Sequence, residues 1–582
     1  MRRRLLLLGA AAFVVWAIFA FFWLLRLASD LQAGRDAASA ARDQLGPEQL
    51  ADGEPLGELR IAESRFRAAN ERAGGVLLAP LRLAPVIGRQ LRSVEALSGA
   101  AHEVARAGVD AVERAGVLFD DPAGEGQARV DQVQRLAQIV DDVAARLDAI
   151  EDLGPIDGLV APLADARNEL AADLAEARRG LDDARTGARA ALSLLTGPRR
   201  YLVLAANNAE MRGGSGMWLQ GGVLATGAGR LDLEQMVSLH LDADPPDGAV
   251  EPSGDLASRW GYLRPGDEWR NLMASPRFPA NAELAVRMWK AATGEDVDGV
   301  LVVDAIGLQA IVEAVGEVTV GDRTFGAADV PAYVLHDQYS QFGDIADQTS
   351  QNQADRREAL AALASAAVDA IDRGDYPAST LIRTLGDAIE GRHLLAWTPD
   401  EVEQAGWEAA GMDGELERDS LLVSILNQGG NKLDWFLDVE ADLAVERVAG
   451  SWEVAVTIQM RNETPAQGEP TYVQGPYPGL DLDAGEYRGL LAVSLPAAAT
   501  APQFDGVDTL TVRGPDGPSQ VVGFRFDLPR GETREVVLRF RLPPHADHLD
   551  IEPSARVPSI TWRYGTEEWE DSTSRVANWV NR

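Results

Sequence analysis

Four patterns of apolar and polar positions follow one another along the chain. The first is a run without charge, residues 5–25, preceded by Arg2, Arg3 and Arg4 and closed by Arg26. At ~1.5 Å per residue a helix over this run is ~31 Å long, the thickness of a bilayer's hydrocarbon core. The leading arginines predict a cytoplasmic N-terminus, with the chain after Arg26 extracytoplasmic. A cleaved signal peptide carries ~7 to 15 apolar residues and a small-x-small site directly after. This run is longer and leaves through Phe21, Phe22, Trp23, Leu24 and Leu25, so an uncleaved signal anchor over residues 1–29 is expected. No second run of this kind occurs, which predicts a single pass.

The second pattern has apolar residues three and four apart, as in Val130, Val133, Leu136, Val140, Val143, Leu147 and Ile150. That period predicts amphipathic helices. Breaks at Gly46-Pro47, Gly74-Gly75, Ala79-Pro80, Asp121-Pro122 and Gly154-Pro155 divide residues 30–197 into several of them. A helical bundle or stalk is expected, its charges on a solvated face; an apolar stripe left open would instead take a protein partner.

At Gly197-Pro198 the third pattern begins. Residues 201–206, 217–225 and 231–241 are short apolar runs that predict neighbouring strands, with the Asn- and Gly-rich segment 207–216 as a loop between the first two. A helix is expected over 280–293, with Leu284, Met288 and Ala291 on one face, then a strand at 298–303, a helix at 305–315 and a strand at 318–320. Alternating strands and helices predict a three-layer α/β domain, with ligands at loops beyond the strand ends. Helical spacing returns at 352–372 and 379–391, and Thr398-Pro399-Asp400-Glu401 reads as a helix start, so residues 198–438 form the α/β domain with a helical extension. The fourth pattern has period two: Trp452, Val454, Val456 and Ile458 alternate with Glu453, Ala455, Thr457 and Gln459, and further runs lie at 487–495, 509–513, 520–528 and 535–542. A C-terminal β-sandwich over 439–582 is the expectation.

Composition narrows the chemistry. A chain of 582 residues exceeds one hydrophobic core. Its 54 Lys and Arg against 90 Asp and Glu give a net charge of −36, which argues against nucleic acid as a partner. With no cysteine, disulfides, thiolate metal sites and cysteine nucleophiles are excluded. In so acidic a protein an anionic ligand has to be held by a local cluster of cations, because screening confines the general field to ~10 Å.

The segments NNAEMRGGSG at 207–216, SPRFP at 275–279, VDGVLVVDAIGLQAIVEAVGEVTV at 297–320, GRHLLAW at 391–397 and NKLDWFL at 431–437 resemble the bacterial envelope family known as domain of unknown function 4012. The resemblance implies a place at the bacterial plasma membrane. The order strand, helix, short strand in the third segment is also remotely similar to LytR-CpsA-Psr proteins, signal-anchored enzymes that transfer glycopolymers from a polyprenyl diphosphate carrier to peptidoglycan. That family holds its lipid pyrophosphate with arginines and a Mg²⁺-binding acid. In this chain the corresponding slots read Gly214-Ser215-Gly216-Met217 and His240-Leu241-Asp242, and neither contains the arginine.

Arg212 lies in the first loop, and Arg270 and Arg277 precede the helix at 280–293; a guanidinium fork suits phosphate. Gly213 and Gly214 would let backbone N–H groups approach an anion. With Asn207, Asn208 and Glu210, the alternative ion-pair partner of Arg212, these residues form the candidate ligand site. Three functions are compatible with it: a module binding a polyprenyl-phosphate-linked glycan, peptidoglycan or another anionic wall intermediate; a Mg²⁺-dependent phosphotransferase; and a non-catalytic scaffold. The missing acid favours binding over catalysis, and no catalytic or metal-ligating residue is assigned.

Other constellations read as structural. The Gly-x-Ser-x-Gly frame fails at Met217, and Asp296-Val297-Asp298-Gly299 runs straight into an apolar strand. His545 and His548 lack a third ligand. Residues 336–344 read equally as a lid or a surface connection, and Tyr472, Tyr477 and Tyr487 as core packing rather than a sugar platform.

Overall fold

The computed structural model describes residues 2–44, 49–50, 52–150, 153–154, 156–341 and 351–579, and the chain divides into two compact units. One holds residues up to 122, 131–189 and 377–383; the other holds 123–130, 190–376 and 384–582.

The first unit is helical. The apolar run and its continuation form one helix, α1 (Arg2–Arg42), followed by α2 (Leu56–Gly74), α3 (Pro85–Asp120), α4 (Gln127–Asp148) and the start of α5 (Ala161–Thr196). Alanines allow close approach between axes: Ala37, Ala62 and Ala105 are buried together, and Ala69 and Ala73 meet Leu27 and Val94. A second cluster joins α3, α4 and α5 through Leu97, Leu118, Ile139, Val143, Leu147 and Leu174. Gly74-Gly75 and Asp121-Pro122 end helices as expected, while Ala79-Pro80 sits in a single helical turn, Ala79–Arg82. Gly46-Pro47 and Pro155 lie outside the described residues.

The second unit contains a mixed sheet of β1 (Arg199–Met211), β2 (Gly216–Gly227), β3 (Arg230–Leu233), β4 (Val237–Ser238), β5 (Gly299–Val303) and β8 (Leu394–Trp397). The order is β3-β2-β1-β5-β8, with β4 beside β2; β6 (Val318–Val320) and β7 (Arg323–Phe325) form a separate hairpin. β1 runs parallel to β5, Tyr201 opposite Gly299 and Ala205 opposite Val303, and antiparallel to β2. Residues 207–211 belong to β1, so the expected loop shrinks to 212–215. Asn-Asn-Ala-Glu carries turn chemistry, but Asn207, Asn208 and Glu210 all find buried partners and the backbone stays extended. The expected strand at 231–241 breaks instead into β3, β4 and a helical turn, Leu239–Asp242.

One face of this sheet, through Leu202, Leu204, Val300 and Val302, packs on α6 (Phe278–Thr293). Against the other lie α7 (Ala305–Val315) and α8 (Gln351–Arg373), whose residues line a shared cleft with it. Asp304 caps α7, its Oδ1 accepting from the N–H groups of Ile306 and Gly307 at 2.9 Å each.

The C-terminal strands form two six-stranded sheets. One is β13 (Thr500–Phe504), β16 (Thr533–Leu542), β11 (Ser451–Asn462), β10 (Leu437–Val448), β18 (Thr561–Tyr564) and β19 (Glu567–Glu570), in that order. The other is β14 (Val512–Asp516), β15 (Ser519–Leu528), β12 (Tyr487–Leu495), β9 (Ser420–Asn427), β17 (His548–Ile551) and β20 (Arg575–Asn578). Inward residues of both, among them Val423, Leu491, Phe524, Val456, Leu538 and Trp562, share one core. β9 lies N-terminal to the start expected for the sandwich. It is buried along its whole length, because Val423 and Ile425 face the sandwich core while Leu426 faces the core of the α/β sheet. The two sheet systems therefore share packing, not a linker.

Candidate functional site

The face of the central sheet turned toward α7 and α8 is hollow. Leu202, Leu204, Val300 and Val302 are fully buried on the opposite face, whereas Val203, Ala205 and Val303 keep partial exposure although they sit in the middle of a sheet. Strand residues two apart share a face, so this alternation marks one face as incompletely filled. The helices explain it: α8 brings Leu360, Ala364, Ala367 and Val368 and α7 brings Leu308 and Ile311, and the alanines leave space. The result is a cleft lined mainly by aliphatic side chains, with about 130 Å³ of interior space open to water-sized atoms and about 1100 Å³ when the solvent at its mouth is counted.

The polar residues of the cleft are Asn207, Gln220, Ser238, His240, Asp304, Gln338, Arg356, Arg357 and Tyr472. Arg356 is buried; its Nε donates to Gln353 Oε1 at 3.0 Å and its Nη1 to Gln338 Oε1 at 3.1 Å. Both partners are neutral amides, so these bonds orient the guanidinium without cancelling its charge. Burial, and next the Arg356 charge, hold Arg357 below the usual arginine range, opposed by Asp242. His240 is likewise pushed below the usual histidine range by burial, then by Arg270 and Arg357. Arg356, Arg357 and His240 are the basic side chains of the cleft lining, and Arg357 and His240 stand half-buried at its rim.

A buried polar frame supports the rim. Asn207 Nδ2 donates to the Tyr339 hydroxyl at 3.0 Å, and Lys432, ion-paired to Glu210, lies over the rings of Tyr339 and Tyr472 at 5.7 and 4.8 Å. Burial alone would lower Lys432, but Glu210 and the two tyrosines outweigh it and its pKa is raised. Asn208 Nδ2 donates to Asp304 Oδ2 at 2.7 Å and to the Ala555 carbonyl at 2.8 Å, and His393 Nδ1 lies 2.7 Å from the same Asp304 oxygen.

Of the residues expected to hold a ligand, only Asn207 lines the cleft. Arg212 donates to three backbone carbonyls, Arg270 at 2.8 Å, Met211 at 2.9 Å and Asn427 at 3.0 Å. Burial depresses its pKa, against the pull of Glu210 and Asp434. The ion-pair partner of Glu210 is Lys432, not Arg212. Arg270 pairs with Glu268, and Arg277 grips Glu415 through two bonds of 2.7 and 2.8 Å. The glycines answer to close packing: a Cβ on Gly213 would lie 2.4 Å from the Ala274 carbonyl oxygen, and one on Gly214 2.7 Å from that of Pro276. The loop thus joins the sheet to segment 273–276. Sequence passed over Arg356 and Arg357, while Gln338 lies in the segment 336–344 read as either a lid or a surface connection, and Tyr472 was assigned to packing rather than to a ligand platform. The available signal for the two arginines was an Arg-Arg pair ahead of an apolar stripe, Leu360, Ala364 and Ala367, on one helix.

The Mg²⁺ expected for an enzymatic reading does not suit the residues present. Among the described residues no group of three or more His, Asp or Glu side chains converges. Asp304, the acid in the cleft, is already engaged by two backbone N–H groups, Asn208 and His393. The remaining constellations are dispersed. Tyr487 is buried and donates to Asp434, Tyr477 is exposed, and only Tyr472 reaches the cleft. Asp298 accepts from the Arg200 N–H at 2.8 Å at the entry to β5. Residues 336–341 are helical with Tyr339 fully buried, and Phe342, Gly343 and Asp344 lie outside the described residues.

The fold and site define a protein with one apolar N-terminal helix, long enough to be a membrane anchor or signal sequence, and a mixed-sheet unit with a largely apolar cleft whose lining includes Arg356, Arg357 and His240. Residues 196–339, which contain β1 to β7 and α7, match the family described as Protein of unknown function (DUF4012). Comparison with curated proteins and with solved structures gave no match.

Proposed function

We propose that this is a membrane-anchored, extracytoplasmic envelope protein of the bacterial plasma membrane that binds an amphiphile with a long hydrocarbon chain and an anionic head, such as a polyprenyl-phosphate-linked glycan. The hollow sheet face carries this reading. An aliphatic cleft accepts a hydrocarbon chain by the hydrophobic effect, at ~25 cal/mol per Å² removed from water, and Arg356 and Arg357 stand where a phosphate would meet a guanidinium fork. Of the alternatives, a LytR-CpsA-Psr-like transferase has less support, because the described residues of the cleft offer no set of acids for Mg²⁺. A purely structural scaffold draws support from the internal partners of Arg212, Arg270 and Arg277, but leaves the unfilled cleft without a purpose.

Native mass spectrometry of the full chain, purified in mild detergent and supplied with undecaprenyl phosphate, tests the proposal. The wild type is expected to retain one lipid. Ala364→Trp, which fills the cleft, is expected to abolish retention, and Arg356→Gln with Arg357→Gln to weaken it at least ~10-fold, the loss of one to two charge-assisted hydrogen bonds. Equal retention by all three proteins would refute the site.

A further inference from the structure

The three most exposed large hydrophobic side chains among the described residues belong to one turn: Val76 at 90%, Leu83 at 86% and Val86 at 69%. The turn links α2 to α3 through a short helical segment, Val76–Leu78, the turn Ala79–Arg82, and Pro85 at the start of α3. Residues 76–87 read VLLAPLRLAPVI, with Arg82 as the sole charge. Exposing such a surface to water is unfavourable, and contiguous apolar patches mark contacts with partners or membranes.

Its position identifies the partner. Trp16 Nε1 donates to the Leu77 carbonyl at 3.0 Å, Trp23 Nε1 donates to the Arg72 carbonyl at 3.1 Å, and Leu78, Leu81 and Leu91 pack on Trp16, Ala20, Trp23 and Leu24 of α1. Trp16 is near the middle of the uncharged run 5–25. Ten residues separate it from Arg26, so at ~1.5 Å each the turn reaches ~15 Å below the end of the run, half a hydrocarbon core. At the same depth Phe19 and Phe22 of α1 face outward.

A bilayer interior favours satisfied backbone groups and paired charges, and part of the turn meets this. Leu78 N donates to the Gly75 carbonyl at 3.1 Å, Ala84 N to Leu81 at 3.2 Å and Gly88 N to Ala84 at 2.7 Å, while Pro80 and Pro85 have no N–H to satisfy. Arg82 donates to Glu95 at 2.5 Å and to the Ala73 carbonyl at 2.7 Å.

We propose that residues 76–87 form a second membrane-embedded element, a half-crossing hairpin whose Val76, Leu83, Val86 and Ile87 contact the acyl chains of the leaflet through which α1 leaves. The helical unit is then held by two buried elements. The inference rests on the reading that α1 crosses a bilayer, and the test separates the two.

Because the chain has no cysteine, single cysteines at exposed positions, Leu83→Cys, Phe19→Cys and Val117→Cys, can be spin-labelled in the full protein reconstituted into phosphatidylcholine and phosphatidylglycerol vesicles. Accessibility to oxygen, which enters hydrocarbon, is compared with that to a water-soluble nickel complex. The ratio at 83 is expected to match that at 19 and to exceed that at 117 at least ~10-fold, since polar solutes are excluded from the core. A deep label at 19 with a water-exposed label at 83 overturns the hairpin and leaves the anchor standing. Water exposure at both overturns the anchor itself.

Discussion

Asp434 and Arg556 are wholly buried and 2.8 Å apart. Asp434 also accepts from the Tyr487 hydroxyl at 2.9 Å, from Asn427 Nδ2 at 2.9 Å and from the Met211 N–H at 3.0 Å, so one carboxylate ties β1 to β9 and β12. Removing one partner of a buried pair strands the other charge and costs roughly 3–5 kcal/mol. Arg556→Met is therefore expected to destabilise the second unit by about that amount, read as a lowered urea midpoint. Adding Asp434→Asn is expected to recover part of the loss; a double variant as unstable as the sum of the singles would show that the two side chains do not act as a pair. At this scale the sequence was partly legible. NKLDWFL and GRHLLAW stood out as motifs, but only the structure shows why: Lys432 neutralises Glu210, Asp434 meets Arg556, and His393 lies against Asp304. Each pairing joins residues more than 80 positions apart, which spacing cannot reveal.

Strands and helices were the most legible elements. The period-two runs of β11, β12, β15 and β16 and the helix α6 lie close to where alternation and spacing put them. β9 was missed because SLLVSILN does not alternate. Both its faces are buried, and a continuous apolar run is as compatible with a helix as with a strand. Its central place between β12 and β17 makes a prediction. A fragment of residues 439–582 lacks that strand and exposes the inner edge of β12, so it is expected to be unfolded or aggregated by circular dichroism and size-exclusion chromatography. Independent folding of that fragment to a cooperative melt would show that the sandwich needs no strand from the α/β segment.

For the whole molecule, charge is the dominant property. Burial, opposed by Arg392 and the Glu415 N–H, pushes the Asp413 carboxyl up to about 6. Burial, opposed by hydrogen bonds from Ser554, brings Asp571 up to about 6 as well. A carboxyl whose folded pKa lies above its unfolded value of ~3.8 binds its proton more tightly in the native state. Its stabilisation is complete below that value and is lost as pH rises through about 6. His240, with a lowered pKa, acts in the opposite direction on acidification. The net expectation is a melting temperature that rises between pH 7 and pH 5, also because self-repulsion at a charge of −36 is relieved. Asp413→Asn, neutral at every pH, should show a shallower rise over that window; an unchanged slope would remove Asp413 as a contributor.

By itself the sequence determined the apolar N-terminal helix, the helical character of the region after it, the presence of strands and helices in the middle of the chain and the strand-rich C-terminal part, because periodicity and charge-free length are local properties of a chain; the mixed order of the central sheet came only from the structure. Only the tertiary structure shows which polar residues are used up inside the fold and where space is left. An arginine in a glycine-rich loop reads as a ligand until three backbone carbonyls are found around it. A cavity is invisible to sequence because it consists of the space that α7 and α8 leave unfilled over β1, β2 and β5. The level at which residues 76–87 meet α1 is likewise set by packing between segments some 60 residues apart.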